Sequence, residues 1–124
     1  MQKERAWFRF IWSVRILILS GVSLDGVSTL YAVLMRGPEV EYTEWARVLA
    51  TFSPWLLIPA AVFIGLVGLG YVTTAEYLRC RYGSGSLLIR GLCSFFFFLG
   101  IFIGIYTLLN GVHNLSVLKQ LGLL

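Results

Sequence analysis

The stretch from Gly91 to Leu118 reads GLCSFFFFLGIFIGIYTLLNGVHNLSVL and contains no Asp, Glu, Lys or Arg. An α-helix rises about 1.5 Å per residue, so about 20 consecutive apolar residues cross the hydrocarbon core of a bilayer. The stretch exceeds that length and carries no charge if His113 is neutral. It therefore predicts a transmembrane helix.

Two further stretches have the same character. Residues from Val48 to Ala75 carry no charge, and residues from Ile16 to Met35 carry only Asp25. Three short strands cannot close a barrel, so the spanning elements are expected to be helices. The sequence predicts an all-α integral membrane protein, a single domain over residues 1–124, with transmembrane helices at about 10–35, 54–79 and 88–112.

Composition supports a membrane location. Hydrophobic residues make up 58% of the chain and charged residues 13%, against about 45–50% and about 25% in soluble domains. Too few polar side chains are present to cover a water-exposed surface, so the lipid bilayer is the expected partner. The net charge is +4, but the basic residues flank the apolar stretches instead of forming a patch, and no nucleic acid is expected as a partner.

The connection between the first two spans contains signals for a short helix. Gly37 and Pro38 should end the first helix, and Thr43 can cap a helix at about 44–52 that lies in the outer interface. The pair Ser53-Pro54 indicates a fresh helix start, with serine as the cap and proline at the first helical position. The alternative is one long helix that is kinked at Pro54.

The distribution of basic residues predicts the orientation, because Lys and Arg concentrate on the cytoplasmic side of membrane spans. The amino end and the second loop hold Lys3, Arg5, Arg9, Arg15, Arg79, Arg81 and Arg90. The first loop and the carboxyl end hold Arg36, Arg47 and Lys119. The amino end is therefore expected to be cytoplasmic and the carboxyl end outside.

Asp25 is the most informative residue for function. A carboxylate near the centre of a span costs roughly 2.5–3.5 kcal/mol on insertion scales, so it should face the helix bundle. Depth counting predicts an intramembrane polar cluster of Asp25, Thr29, Tyr106 and Asn110. The cluster is either a hydrogen-bonded lock between helices or a proton or cation site. The lock is favoured because no second ionisable group is evident in the same layer.

Small residues four apart indicate where helices approach closely. Gly100 and Gly104 form such a pair in the third span, and Ala61 and Gly65 form a looser pair in the second. The pattern predicts tight helix packing and leaves open whether the partner helix belongs to this chain.

The sequence contains no evident catalytic or metal-binding motif. His113 is the only histidine and has no ligand-spaced Cys, His or carboxylate around it, so neither a metal site nor a cofactor is expected. No nucleophile triad or phosphate-binding loop is present. Asp25, Glu76 and His113 are expected at different depths, so the protein is not predicted to be an enzyme.

The layout resembles an uncharacterised family of small three-helix membrane proteins found in archaea and bacteria. The resemblance rests on Asp25 and Thr29 in the first span, Gly37 and Glu39 in the outer loop, and Asn110 late in the third span. The Asn-Pro pair that is frequent in the outer loop of that family is absent. The resemblance implies a membrane fold and no particular activity.

These features favour an accessory or structural subunit of a larger membrane assembly, such as a respiratory-type complex or a viral envelope, with other membrane subunits or further copies of itself as partners. The alternative is a homo-oligomeric channel or transporter that uses Asp25. A third possibility is a lipid-binding protein or membrane enzyme that acts through the outer-loop glutamates Glu39, Glu41 and Glu44.

Overall fold

The computed structural model of the protein describes residues 2–41, 43–83 and 85–124, with side chains from Arg5 onward within those ranges. The side chain of Lys3 lies outside the described residues. The long helices are α1 (Gln2–Arg36), α3 (Leu57–Tyr82) and α4 (Leu87–Gln120), and the short helix α2 (Glu44–Phe52) lies between the first two. No strand occurs in the described ranges. The three long helices are long and apolar enough to cross a membrane, which confirms the prediction of an all-helical chain with three candidate spans.

Two of the long helices extend beyond the apolar stretches. Helix α1 has 35 residues and α4 has 34, which gives each a length of about 50 Å. The hydrocarbon core is about 30 Å thick. Helical hydrogen bonding therefore continues past the apolar residues at the amino end of α1 and the carboxyl end of α4.

The helical structure is interrupted between α2 and α3. Ser53 is extended, with φ −162° and ψ 129°, and its N–H donates to the Leu49 carbonyl. A 3-10 turn, Pro54–Leu56, then leads into α3. This geometry agrees with a fresh start at Ser53-Pro54 and contradicts a single long helix kinked at Pro54, but the Ser53 side chain makes no capping hydrogen bond.

Helix α2 turns its small residues inward and its large ones outward. Ala46 and Ala50 are buried against Val33 and Leu57. The side chains of Trp45, Val48 and Phe52 are exposed. An amphipathic helix with an outward apolar surface of this kind is suited to the membrane interface.

Helices α1 and α4 run parallel, and α3 runs antiparallel to both because the short loop after Tyr82 reverses the chain. The α1–α4 pair is the most extensive contact in the fold, and α1–α3 is the smallest among the three long helices. The central core takes residues from all three long helices: Ile11, Val14, Ile18, Val72, Ala75, Cys93 and Phe97. At the far end, Tyr31 and Arg36 donate to the carbonyls of Leu123 and Leu121.

Glycines permit the close approach of α4 to its neighbours. A Cβ on Gly100 would lie 2.8 Å from Val72, and one on Gly104 would lie 2.7 Å from Leu17. From the other side, a Cβ on Gly21 would lie 2.5 Å from the carbonyl oxygen of Gly104. The close packing predicted at Gly100 and Gly104 therefore occurs between helices of the same chain.

Candidate functional site: a polar cavity beside Asp25

A polar cluster joins α1 to α4 at Asp25. The side-chain amide of Asn114 donates to Asp25 Oδ1 at 3.1 Å, to Ser28 Oγ at 3.1 Å and to Thr29 Oγ1 at 2.8 Å. An amide nitrogen has two hydrogens, so these three acceptors share them. The Thr29 hydroxyl also donates to Asp25 Oδ1 at 3.4 Å. Asn114 is therefore the residue of α4 that holds the polar face of α1.

Helical periodicity explains the position of each member. Asp25, Ser28 and Thr29 are three and four residues apart and share one face of α1. Gly111 lies beside them on α4, where a Cβ would come within 3.0 Å of the Asp25 backbone nitrogen. The absence of a side chain at Gly111 brings the backbones together, so Asn114, one turn further on, reaches the carboxylate.

A cavity of about 130 Å³ lies next to the cluster. It is bounded by the three long helices, by the loop that follows α1 and by the first turn of α2. The polar side chains that line it are Asp25, Thr29, Glu41, Thr43, Tyr106, Thr107, Asn110 and Asn114. The four residues of the predicted polar cluster thus line one cavity, although the hydrogen bond from α4 to Asp25 comes from Asn114, which the sequence analysis did not select.

Glu41 corrects an expectation about this layer. We expected no second ionisable group near Asp25, but the loop after α1 folds over the cavity and Glu41 lines it. Its carboxylate accepts the Thr43 N–H at 3.0 Å, and its carbonyl accepts Arg47 Nε at 2.6 Å. Those two contacts hold the loop over the opening.

The cavity offers oxygen atoms from two carboxylates, from hydroxyl groups and from amides. Oxygen donors of this kind suit water, protons or hard cations. In the described part of the chain, no group of three or more His, Cys, Asp or Glu is arranged to hold a metal ion. Every buried side-chain nitrogen or oxygen there has a hydrogen-bond partner. The cluster is therefore satisfied by its own members.

A second polar contact lies closer to the amino end of α1. Arg15 forms an ion pair with Glu76 of α3, and its guanidinium lies 5.1 Å from the Trp12 ring centroid. Arg15 precedes Asp25 by ten residues, or about 15 Å along the helix. The two polar contacts are therefore separate, and each joins α1 to a different helix.

The fold and the site define a small helical protein with three candidate membrane spans and an oxygen-lined cavity at one end. No protein family, no curated protein and no solved structure matches the chain. The resemblance to the small three-helix membrane family thus stays a prediction.

Proposed function

We propose that this chain is a non-enzymatic, multi-pass membrane protein that serves as an accessory or structural subunit of a larger membrane assembly. The observation that carries the proposal is an apolar groove of about 480 Å³ between α1 and α3. The groove runs along the outer half of the two long helices that contact each other least. Its lining includes the small residues Gly26, Ala61 and Gly65.

Small residues make such a groove suitable for another helix. Within a bilayer, helices associate mainly through van der Waals packing and approach closely where side chains are small. Gly100 and Gly104 are already occupied by α1 and α3, whereas a Cβ on Gly65 would meet only Val22, at an ordinary 3.5 Å. Ala61 and Gly65, the second pair of small residues predicted from the sequence, form the floor of the groove, since Gly65 is buried and Ala61 lies against Gly26. The surface left for a partner helix is the exposed apolar rim, formed by Val27, Ile58, Val62 and Leu66.

Filling the groove should release the partner. Val27 lines the groove and is 69% exposed, so Val27→Trp adds a large side chain there while the three-helix fold is retained. We expect native mass spectrometry, after gentle extraction from the native membrane, to find the wild-type chain in a complex and the variant mainly alone.

Leu109→Trp is the matched control. Leu109 is 64% exposed on α4 and lies outside the groove, so this variant should keep the complex. A wild-type chain recovered only as a lone monomer would contradict the proposal. Equal loss of the complex in both variants would contradict the role of the groove.

The alternative, a homo-oligomeric channel or transporter, draws support from one specific observation. Asp25 of the first candidate span and Glu41 of the loop that follows it line the same cavity, and a carboxylate within a membrane span often marks an ion or proton pathway. In that case Asp25→Asn should abolish proton or cation flux in liposomes and Glu41→Gln should reduce it.

Glu44→Gln is the control for the flux measurement, because Glu44 is exposed on α2 and does not line the cavity. Flux that is absent from wild-type liposomes, or equal in Asp25→Asn and wild type, would exclude the transport function. The accessory role would be unaffected by that result.

The proposal includes an orientation. Basic residues favour a cytoplasmic amino end and second loop. The polar cavity and α2 then lie at the outer surface, together with the carboxyl end. The opposite, cytoplasmic end of the bundle is the more basic one.

A further inference from the structure

A second cavity, of about 490 Å³, opens at the basic end of the bundle. It lies between the first turns of α1, the last turn of α3 and the first half of α4. Its lining includes basic and apolar side chains, among them Trp7, Arg79, Arg90, Phe97, Phe98 and Ile101. Of the described residues that line it, the charged ones are both arginine, and most of the others are apolar.

One of these arginines is held in place by an aromatic ring. The Arg79 guanidinium lies 3.6 Å from the centroid of the Trp7 ring. Trp7 in turn packs edge-on against Phe97, with ring centroids 5.1 Å apart. A cation over an aromatic face is attracted to the ring and keeps its N–H groups available around its edge. The stack thus fixes a positively charged group at the rim of the cavity.

The cavity changes from basic to apolar along α4. Arg90 lies near the amino end of the helix, and Phe97, Phe98 and Ile101 follow it toward the centre of the span. From Arg90 to Ile101 the helix rises about 16 Å. A ligand that fits this profile has an anionic group at one end and a long apolar chain at the other.

Charge around the cavity favours an anion. Arg5, Arg9 and Arg81 are exposed at the same end of the bundle. Glu76, one turn before Arg79 on α3, is paired with Arg15. Arg binds phosphate oxygens in bidentate fashion, and basic pockets between transmembrane helices on the cytoplasmic side bind anionic lipid headgroups.

We propose that this cavity binds one anionic phospholipid, with its phosphate at Arg79 and Arg90 and one acyl chain along Phe97, Phe98 and Ile101. The lipid would fill the open side between α1 and α4 at the cytoplasmic end. The site is separate from the outer cavity and from the α1–α3 groove, so it does not depend on the accessory role, and only its cytoplasmic placement rests on the orientation proposed above.

The test uses the full chain in mild detergent, titrated with phosphatidylglycerol or with phosphatidylcholine of the same acyl chains and followed by native mass spectrometry. We expect one bound phosphatidylglycerol, held about tenfold more tightly than phosphatidylcholine, since a charge-assisted hydrogen bond accounts for a factor of that order. Arg79→Gln and Arg90→Gln should each remove most of that preference.

Arg81→Gln makes the same charge change at the same end of the bundle, but Arg81 does not line the cavity, so the preference should remain. Ser94→Trp blocks the apolar part without altering charge and should lower affinity for both lipids, whereas Phe95→Trp, just outside the cavity, should not. Equal binding of the two lipids by the wild type would overturn the proposal. So would equal effects of Arg81→Gln and Arg90→Gln, which would indicate diffuse charge attraction.

Because Arg79 also packs on Trp7, its variant could lose the fold instead of the site. Arg90→Gln and Ser94→Trp leave that stack untouched, and circular dichroism checks the helix content of every variant. Retention of the lipid preference in folded Arg90→Gln, together with unchanged lipid affinity in folded Ser94→Trp, would contradict the proposed site.

Discussion

Gly21→Ala is expected to lower the free energy of unfolding by about 2 kcal/mol, within the range of about 1–3 kcal/mol found when a packed interior must take an extra methyl group. The added Cβ would lie 2.5 Å from the carbonyl oxygen of Gly104 and 3.0 Å from the backbone nitrogen of Leu108. Both atoms belong to the backbone of α4 and cannot rotate away. The two helices must separate, and the contacts along the whole α1–α4 pair must loosen.

The measurement is unfolding in mixed micelles at increasing SDS concentration, followed by helix content. The matched control is Gly70→Ala in α3, where a Cβ would meet nothing within 4 Å. Alanine is favoured over glycine in a helix interior by up to about 1 kcal/mol. The control should therefore be neutral or stabilising, so the two alanine substitutions are expected to have opposite signs.

Gly21→Leu should lower the free energy of unfolding further, because a leucine side chain cannot fit between the helices at their present separation. If Gly21→Ala and Gly70→Ala changed stability equally, the close α1–α4 approach described here would be wrong. An effect confined to Gly21 would show that this crossing determines the stability of the bundle.

The three candidate spans could be predicted because the hydrocarbon core imposes a length and a composition on each segment. The ends of the helices could not, since backbone hydrogen bonding does not stop where apolar side chains do. Helix α1 begins at Gln2, and α4 continues to Gln120. The break at Ser53 was the exception, because a serine–proline pair carries its own local signal.

The polar cluster shows that the depth of a residue along its span does not identify its contacts. Depth alone favoured Asn110, but the face of α4 that packs inward follows the spacing of Gly100, Gly104, Thr107, Gly111, Asn114 and Leu118. Steps of four and three residues keep one helix face directed at a neighbour. Asn114 lies on that face, so the periodicity of the glycines could have identified it.

Glu41 could not have been found in this way. Its position over the cavity depends on how the loop after α1 folds back. Tertiary contacts fix that loop, and the periodicity of the helices does not reveal them. Gly37 starts that loop with φ +90°, a conformation that favours glycine. The Arg47 side chain then holds the Glu41 carbonyl. A single sequence shows the glycine but not the direction that the chain takes after it.

Asn114→Ala is expected to lower the free energy of unfolding by about 1–3 kcal/mol, which is the usual cost of leaving buried polar groups without their donor. The amide of Asn114 contacts Asp25, Ser28 and Thr29 at once. Its removal leaves the buried hydroxyl groups of Ser28 and Thr29 without that donor. The same SDS titration measures the change.

Asn110→Ala is the control, because Asn110 lies one turn away on the cavity wall. It should change stability by less than about 0.5 kcal/mol, as substitutions away from such contacts usually do. A larger loss for Asn110 than for Asn114 would show that the donor to Asp25 has been assigned to the wrong residue.

A double-mutant cycle then separates a lock between helices from a site kept for transport. If the Asp25–Asn114 contact stabilises the bundle, Asp25→Ala combined with Asn114→Ala should cost less than the sum of the two single substitutions, because either one already removes the contact. Hydrogen bonds between membrane helices average about 0.6 kcal/mol in such cycles, so a coupling of that size or more is expected. A coupling of zero would mean that the carboxylate is held at its depth without stabilising the fold, and the transport role of Asp25 and Glu41 would then become the better explanation.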